Sequence, residues 1–518
     1  MRHVVPRGLV GLAALALVPA LVGAAVPRTA WRMLAAPAPA AHFRGAHPTY
    51  AWRQTGRYRR QVAYPTQIQH VVVIEMENRS VDNLFAGYYG QQFGNGQTWD
   101  QALNLTNPNA SPQLTPVGLE ATFDPNHAHN VGFMTEAAGN WSGEVFGCPG
   151  RSCPPNATAY AYVPTYETAP YAYFIQNYAF ANSVYQANEG PSFVAHQYSI
   201  AGQAGGSPGA LTAPYAFAEN PQKPLKSPPK TNYYENSTAD VFTDGFCEHT
   251  TRVDRVVDMT GPYSQDDTQS TPVTPCNEYS TVMDEMSTAY GPPYNQDWQY
   301  VAHRANTIWA APLAVKHLAQ QYYGGGSKTA QPFAIDPNAW SFVSNLQSKT
   351  PTRPFANLTY LTPCMGESDH PNSGGNADGP EWLAWVVNAI GQSPYWQNTA
   401  IFVVWDDWGG WYDHAQPGGS WPYHPGNAPY GNPSDPNEWG FRVPMMVISP
   451  YVTARGYVSN SLRSQSAILH FVEDNFGIAS LGTDDADQND DLSDMFNMSQ
   501  QPMSFTPYPL GGYQPPHC

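Results

Sequence analysis

The sequence predicts an α/β protein built on a central, mostly parallel β-sheet flanked by helices. Three apolar runs rich in β-branched and other large residues are typical of strands buried on both faces: Ile68–Glu75, Ala400–Trp405 and Val443–Ile448. Trp382–Ile390 and Gln465–Phe476 carry apolar residues at helical spacing and are each followed by a glycine. Strands that alternate with helices along a chain favour a sheet covered by helices.

The composition indicates a folded protein that does not bind nucleic acid. The chain has 518 residues, of which 42% are hydrophobic, so it can bury a large core. It carries 24 Lys and Arg against 41 Asp and Glu, a formal net charge of −17. Broad binding to a phosphate backbone needs clustered cationic side chains, which this balance disfavours.

The N-terminus has the layout of a secretory signal. Arg2 and Arg7 precede an apolar run from Leu9 to Ala25, which is short for a membrane span. We therefore expect residues 1–25 to be a signal peptide and the protein to be extracellular or periplasmic, with no membrane span in the mature chain. Residues 26–60 are rich in Ala, Pro and Arg and are predicted to form an N-terminal arm or linker.

Residues 61–518 are predicted to form one domain that contains a long, loop-rich insertion. The insertion is placed at 205–300, where Gly, Ser and Pro clusters alternate with Tyr and Asn. Six cysteines in an exported chain favour three disulfides, for which several pairings are possible. Proximity along the chain suggests Cys148–Cys153, Cys247–Cys276 and Cys364–Cys518.

Acidic and amide side chains follow two of the predicted strands. Glu77 and Asn78 come after the first strand, and Asp406 and Asp407 come after the second. Ligands bind beyond the carboxyl ends of strands in open α/β sheets, so these side chains converge if the strands are parallel neighbours. Grouped carboxylates and an amide oxygen suit a divalent cation. The alternative for each residue alone is a helix cap or a solvated loop charge.

Ser192 is the candidate nucleophile. Pro191 favours a helix start there, which places Ser192 in a first turn whose backbone N–H groups attract anions such as a phosphoryl group. A serine hydroxyl needs a base or a metal ion to become a nucleophile. The alternative is an ordinary helix cap.

Histidines are candidates for protonating a leaving group and for stabilising charge. Each of them alone is as well explained by a structural or exposed position. The leading candidates are His127, His370 and His414, and the weaker ones are His129, His196 and His317.

Motifs along the chain resemble the phosphoesterase family, which contains bacterial phospholipases C and a group of secreted acid phosphatases. The resemblance spans about residues 68–478 in order. The motifs that carry it are Val73–Phe85, Ser368–Pro371, Trp405–His414, Gly440–Pro450 and Glu473–Gly477.

The resemblance implies an alkaline-phosphatase-like α/β fold and metal-dependent hydrolysis of phosphate esters, phospholipase C-like or acid phosphatase-like. It implies that Glu77, Asn78, Asp406 and Asp407 bind a divalent metal ion of unspecified identity. Ser192 would be both metal ligand and nucleophile, forming a phosphoserine intermediate. His127 and His370 would contact the phosphoryl group or protonate the leaving oxygen, and His414 would act more weakly or orient other residues.

Two positions depart from the family pattern. Phospholipases C usually carry Thr where this chain has Ser192, and Asp407 stands where Glu is frequent. The implied partner is a phosphate ester, with a phospholipid head group among the candidates, and the choice between diester and monoester stays open. A non-catalytic secreted protein that binds carbohydrate or a cell surface on the same scaffold is the alternative, and it predicts loss of the metal-ligand set.

Overall fold

The computed structural model describes part of the chain. The chain divides into two units, Met1–Ala41 and His42–Cys518, and every described residue lies in the second. The predicted signal peptide and N-terminal arm therefore lie outside the described residues. The described residues are 66–128, 133–137, 139–141, 146–148, 153–204, 216–218, 256–258, 277–291, 296–305, 307–323, 332–373, 377–415, 439–484 and 491–516.

Strands and helices alternate through the described part of the chain. The strands are β1 (His70–Met76), β2 (Thr115–Pro116), β3 (Asp124–Pro125), β4 (Phe146–Gly147), β5 (Ala161–Tyr162), β6 (Ala179–Ala181), β7 (Val184–Tyr185), β8 (Ala216–Ala218), β9 (Val256–Asp258), β10 (Trp298–Ala302), β11 (Phe333–Ile335), β12 (Leu358–Thr362), β13 (Thr399–Trp405), β14 (Met445–Ile448), β15 (Tyr457–Ser459) and β16 (Arg463–Ser464). The α-helices are α1 (Val81–Phe85), α2 (Trp99–Leu103), α3 (Met134–Ala137), α4 (Ala169–Asn177), α5 (Ser192–Ala201), α6 (Val282–Tyr290), α7 (Lys316–Tyr323), α8 (Trp340–Gln347), α9 (Gly379–Gly391) and α10 (Ala467–Phe476).

The central sheet has eight strands among the described residues, in the order β11-β10-β12-β1-β13-β14-β6-β15. All neighbouring pairs are parallel except those that β14 makes with β13 and β6. The predicted α/β class with a mostly parallel sheet is confirmed. The prediction was incomplete for Val443–Ile448, because this strand runs against its neighbours and its carboxyl end lies at the opposite edge of the sheet.

The two strands at the centre of the sheet are buried along almost their whole length. All seven residues of β13 are buried, as are all residues of β1 after His70. Such strands need an apolar side chain at every position, which explains the continuous apolar runs. The predicted helices correspond to α9 and α10, and α10 ends at Gly477 in the left-handed conformation, with φ +61°. A 3₁₀ turn, Ala311–Ala314, leads into α7.

The predicted Cys148–Cys153 disulfide is confirmed. Cys364 is also disulfide-bonded, and its partner lies outside the described residues, as do Cys247, Cys276 and Cys518. The predicted insertion ends too late, because β10 begins at Trp298 and belongs to the central sheet. Within the described residues, we find no helix with the length and apolar character needed to cross a membrane.

Candidate active site

The loops that follow β1 and β13 lie side by side. Met76 pairs with Trp405 in the parallel register, so the residues after each strand leave the sheet at the same edge. The backbone N–H of Asn78 donates to Asp406 Oδ1 at 3.0 Å, and the N–H of Arg79 donates to the carbonyl of Asp407 at 3.0 Å. The structure therefore brings together the side chains predicted to converge here, which are Glu77, Asn78, Asp406 and Asp407.

Asn78 and Gly409 approach each other closely in left-handed conformations. Asn78 has φ 60°, which few residues other than glycine and Asn adopt readily. Gly409 has φ +64°, and a Cβ atom there would lie 2.3 Å from the carbonyl oxygen of Asn78. Only glycine allows the loop after β13 to pass this close to the loop after β1.

We expect Gly409→Ala to destabilise the protein by more than the conformational penalty alone. The left-handed conformation costs an L-residue about 1–2 kcal/mol, and the clash with backbone adds about 1–3 kcal/mol. Gly477→Ala is the matched control, since Gly477 has φ +61° and nothing lies within 4 Å of the position that a Cβ atom would take there. Thermal unfolding of both variants should show the larger loss for Gly409→Ala, and equal losses would contradict the close approach.

Ser192 begins helix α5, directly after Pro191. Its side chain is 1% exposed, and its Oγ lies 3.3 Å from Asn78 Oδ1 and 3.2 Å from Asp407 Oδ2. The N-terminus of a helix attracts negative charge through its N–H groups and its dipole. The structure therefore brings the predicted nucleophile into contact with the predicted ligands, at a helix end that suits an anion.

The orientation of the Asn78 amide follows from its contact with His127. Nδ1 of His127 lies 2.8 Å from the carbonyl of Pro125 and donates to it, because a carbonyl can only accept. Nε2 of His127 is then the acceptor for the Asn78 Nδ2 group at 3.0 Å. In the reverse orientation, the Asn78 amide nitrogen would donate to Glu77 Oε2 at 2.8 Å and to Asp406 Oδ1 at 3.2 Å. With His127 Nε2 as the acceptor, Asn78 Oδ1 faces these two oxygens instead. Oxygens grouped in this way repel one another unless a cation lies among them.

The carboxylates of this cluster are buried close together, so their ionised forms are unfavourable unless a cation is present. Burial raises the pKa of Glu77 and that of Asp407 well above their ordinary values, and the nearby charge of Asp406 raises both further. Asp406 Oδ2 is buried, and no hydrogen-bond donor in the described part of the chain reaches it. A divalent cation with oxygen ligands resolves both problems, so the donor set fits the metal site predicted from the sequence. The residues that could hold it are Glu77, Asn78, Asp406, Asp407 and Ser192.

His196 also belongs to the site, although it was only a weak candidate from the sequence. Its Nε2 lies 2.7 Å from Glu77 Oε1, and its Nδ1 lies 3.2 Å from Glu75 Oε2. Burial opposes protonation of His196, but the two carboxylates outweigh it, and the pKa of His196 lies well above its ordinary value. A positive imidazole therefore offsets part of the carboxylate charge. Its spacing of four residues from Ser192, on one face of α5, was the available sequence signal.

His127 and His370 lie next to each other at the edge of the cluster. Their ring centroids are 6.5 Å apart. His370 is half-buried, and its Nδ1 lies 2.6 Å from the carbonyl of Pro371, to which it donates. Nε2 of His370 is therefore the nitrogen left for exchanging a proton. Burial lowers the pKa of His370 below its ordinary value, which makes its protonated form a stronger acid.

His414, which was predicted to act weakly in the chemistry or to orient other residues, lies in a separate cluster with Asp82 and Asp413. Its Nδ1 lies 2.7 Å from Asp82 Oδ2, and Arg442 contacts both Asp82 and Asp413 in the same group. Asp82 holds the imidazole, so His414 fastens the loop after β13 to α1. Among the weaker candidates, His317 pairs with Asp284 at 2.9 Å, and His129 lies outside the described residues.

Parts of this chain are similar in sequence to known proteins. Non-hemolytic phospholipase C of Pseudomonas aeruginosa is 29% identical over a segment that covers 21% of this chain and 18% of that protein. Phospholipase C A of Mycobacterium tuberculosis is 27% identical over 31% of this chain and 34% of that protein. The chain thus matches about a third or less of the length of these curated relatives.

A solved structure of a protein in the alkaline phosphatase superfamily from Vibrio parahaemolyticus is similar with a TM-score of 0.34 and 8% identity, covering 83% of this chain and 74% of that chain. A family model matches a longer part of the chain than these curated relatives do. A model of the Phosphoesterase family matches residues 68–479. This match includes the loops after β1 and β13, which supply the oxygen cluster (Glu77, Asn78, Asp406 and Asp407). It also includes Ser192, His127 and His370. Since it spans most of the sequence, the chain belongs to the Phosphoesterase family.

Proposed function

We propose that this protein hydrolyses phosphate esters by nucleophilic attack of Ser192 within a divalent-cation site. The observation that carries the proposal is the position of Ser192 Oγ, within 3.3 Å of both Asn78 Oδ1 and Asp407 Oδ2 at the start of α5. The alternative of an ordinary helix cap does not account for this position, because Pro191 is the N-cap residue and the Ser192 hydroxyl donates to Asp407 Oδ2. The non-catalytic alternative expects the ligand set to be lost, whereas every predicted ligand is present in the cluster.

The residues that would hold the cation are Glu77, Asn78, Asp406 and Asp407. When bound, a divalent cation would polarise the phosphoryl group and lower the pKa of the Ser192 hydroxyl. His196 holds Glu77 in place from the side opposite Asn78, through its contact with Glu77 Oε1. His127 holds the Asn78 amide so that its oxygen faces the cluster.

In the first step, the Ser192 hydroxyl releases its proton to solvent, and its Oγ attacks phosphorus and forms a new P–O bond, while the bond from phosphorus to the ester oxygen breaks. The electron pair of the broken bond goes to the leaving oxygen, which His370 protonates. His370 starts this step as the imidazolium, and Nε2 gives the proton because Nδ1–H stays bonded to the carbonyl of Pro371. His127 is less suited, because its Nε2 is engaged by Asn78. General acid catalysis of this kind contributes about 10²- to 10⁴-fold to the rate.

In the second step, water attacks the phosphoserine, and the P–O bond to Ser192 breaks. His370, which has given up its proton, takes one from the attacking water. The departing Ser192 Oγ takes a proton from solvent, so the products are the phosphate compound and the restored serine hydroxyl. The same residues therefore serve both steps with their roles reversed.

An assay of p-nitrophenyl phosphate beside phosphatidylcholine tests the proposal and the substrate class together. A monoester needs cationic contacts for its second negative charge, whereas a diester needs room for two esterified groups. We expect turnover of at least one of them, and we expect a chelator to abolish it and an added divalent metal ion to restore it. Binding without turnover of either ester, in protein shown by elemental analysis to contain metal, would favour the non-catalytic alternative.

We further propose that the protein is exported. The leader predicted at residues 1–25 is the support for this proposal. Expression of the full chain with its natural leader should yield protein outside the cytoplasm whose N-terminal sequence begins close to residue 26. Full-length protein retained in the cytoplasm would contradict export.

A further inference from the structure

Arg79 is a fully buried arginine that binds backbone next to the site. Its Nε and Nη2 donate to the carbonyl of Asp369 at 3.0 and 2.8 Å, and Nη2 also donates to the carbonyl of Leu119 at 3.1 Å. Its guanidinium lies over the ring of Trp411, 4.9 Å from the centroid. Burial lowers the pKa of Arg79 to about 10, so the group stays charged at neutral pH. A charged guanidinium that donates two hydrogen bonds to one carbonyl oxygen fixes the direction of that peptide group.

Asp369 is held from its side chain as well as from its backbone. Its Oδ2 accepts hydrogen bonds from the Tyr171 hydroxyl at 2.7 Å and from Trp405 Nε1 at 3.1 Å. Its φ is +73°, in the left-handed region, which is uncommon for residues other than glycine, although aspartate enters it more often than most. Gly379 closes the other side, since a Cβ there would lie 2.0 Å from Asp369 Oδ1.

These contacts connect three residues that each neighbour a functional residue in the chain. Arg79 follows Asn78, Trp405 precedes Asp406, and Asp369 precedes His370. The carbonyl that Arg79 grips belongs to the peptide group that joins Asp369 to His370. The ring of His370 is in turn tied to its own backbone through Pro371. The placement of His370 relative to the oxygen cluster is thereby set through Asp369.

We infer that Arg79 and Asp369 are positioning residues that hold His370 at its working distance from Ser192. This inference rests on the proposed function, in which His370 protonates the leaving oxygen. Neither residue touches the reacting atoms. Their loss should therefore harm proton donation and leave substrate binding largely intact.

Arg79→Lys tests this inference with two substrates that differ in their need for an acid. The leaving group p-nitrophenolate departs without protonation, whereas the alkoxide of glycerol 2-phosphate does not. If the protein turns over only diesters, p-nitrophenyl phosphorylcholine and phosphatidylcholine replace these two monoesters, with the same expectations. We expect kcat for glycerol 2-phosphate to fall roughly 100-fold, since a displacement of about 1 Å can cost that much. For p-nitrophenyl phosphate we expect a fall of less than about tenfold, and KM should change little for either ester.

Arg463→Lys is the matched control. Arg463 is also 0% exposed, and it donates to Asp494 and Ser459 rather than to the site. It should preserve the wild-type ratio of the two rates. Tyr171→Phe removes only one hydrogen bond to Asp369 and covers the case in which Arg79→Lys does not fold. It should shift the ratio in the same direction, by roughly 3- to 10-fold.

Equal losses on both substrates, or no loss, in Arg79→Lys or in Tyr171→Phe would overturn the inference. The proposed function is tested separately by removing the Ser192 hydroxyl. If that variant is inactive while the Arg79 and Tyr171 variants treat both esters alike, only the positioning role fails. If that variant is fully active, the proposed function fails first.

Discussion

Ser192→Ala is expected to lower kcat for phosphate ester hydrolysis by at least roughly 10³-fold while the protein stays folded. The substitution removes the oxygen that attacks phosphorus, and enzymes that lose their nucleophile retain only the catalysis supplied by the rest of the site. The loss of one buried hydroxyl should cost little stability, because its partners are oxygens that a cation also satisfies. Steady-state rates and thermal unfolding would measure the two effects.

Ser199→Ala is the matched control for Ser192→Ala. Ser199 is half-buried and lies on the same helix. Its backbone carbonyl accepts a hydrogen bond from the Tyr360 hydroxyl. It should keep wild-type activity. Acid quenching during turnover, followed by peptide mass spectrometry, should detect a phosphoryl group on Ser192 in the wild type. Wild-type rates in Ser192→Ala would remove this residue from the mechanism.

Asp406→Asn is expected to weaken binding of a divalent metal ion by roughly 100-fold or more. Asp406 contributes one of the buried negative charges of the cluster, and a neutral amide of the same shape cannot replace it. Ligand-orienting neighbours alone are worth about 10- to 100-fold in metal affinity, so a direct ligand should exceed that range. Calorimetric titration of metal-free protein and elemental analysis of purified protein would measure the change.

The same substitution should stabilise the folded protein when no metal is bound. Without a cation, Asp406 repels Glu77 and Asp407, which is part of why their pKa values are raised. Asp406→Asn removes that repulsion and should raise the melting temperature in a chelator, while removing most of the gain that added metal gives the wild type. Asp474→Asn, a partly exposed position on α10, should change neither quantity. Wild-type metal affinity in Asp406→Asn would contradict the assignment.

The central strands and the main ligands could be predicted because their signals are local. A strand buried on both faces needs an unbroken apolar run, and the polar residues directly after β1 and β13 interrupt such runs abruptly. The direction of β14 could not be predicted in this way, because an apolar run reads the same for either direction. The strands β6 and β10 were not predicted. β6 has only three residues, and β10 begins within a region whose Gly, Ser and Pro content favours loops.

The histidines show where local signals are insufficient. The positions of His196 and His414 depend on which carboxylate each ring meets, and those partners come from distant segments of the chain. His196 meets Glu75 and Glu77 inside the site, whereas Asp82 holds His414 away from it. The contribution of Arg79 was equally hidden, because its partners are mainly backbone carbonyls that have no signature in the sequence.

The central claim is that one divalent cation binds among these oxygens with the serine hydroxyl beside it. The most direct test is an anomalous diffraction map from crystals of the active protein grown with manganese. The account predicts one strong peak at about 2.0–2.6 Å from oxygens of Glu77, Asn78, Asp406, Asp407 and Ser192. A peak at another place, or none in crystals that still turn over substrate, would contradict it.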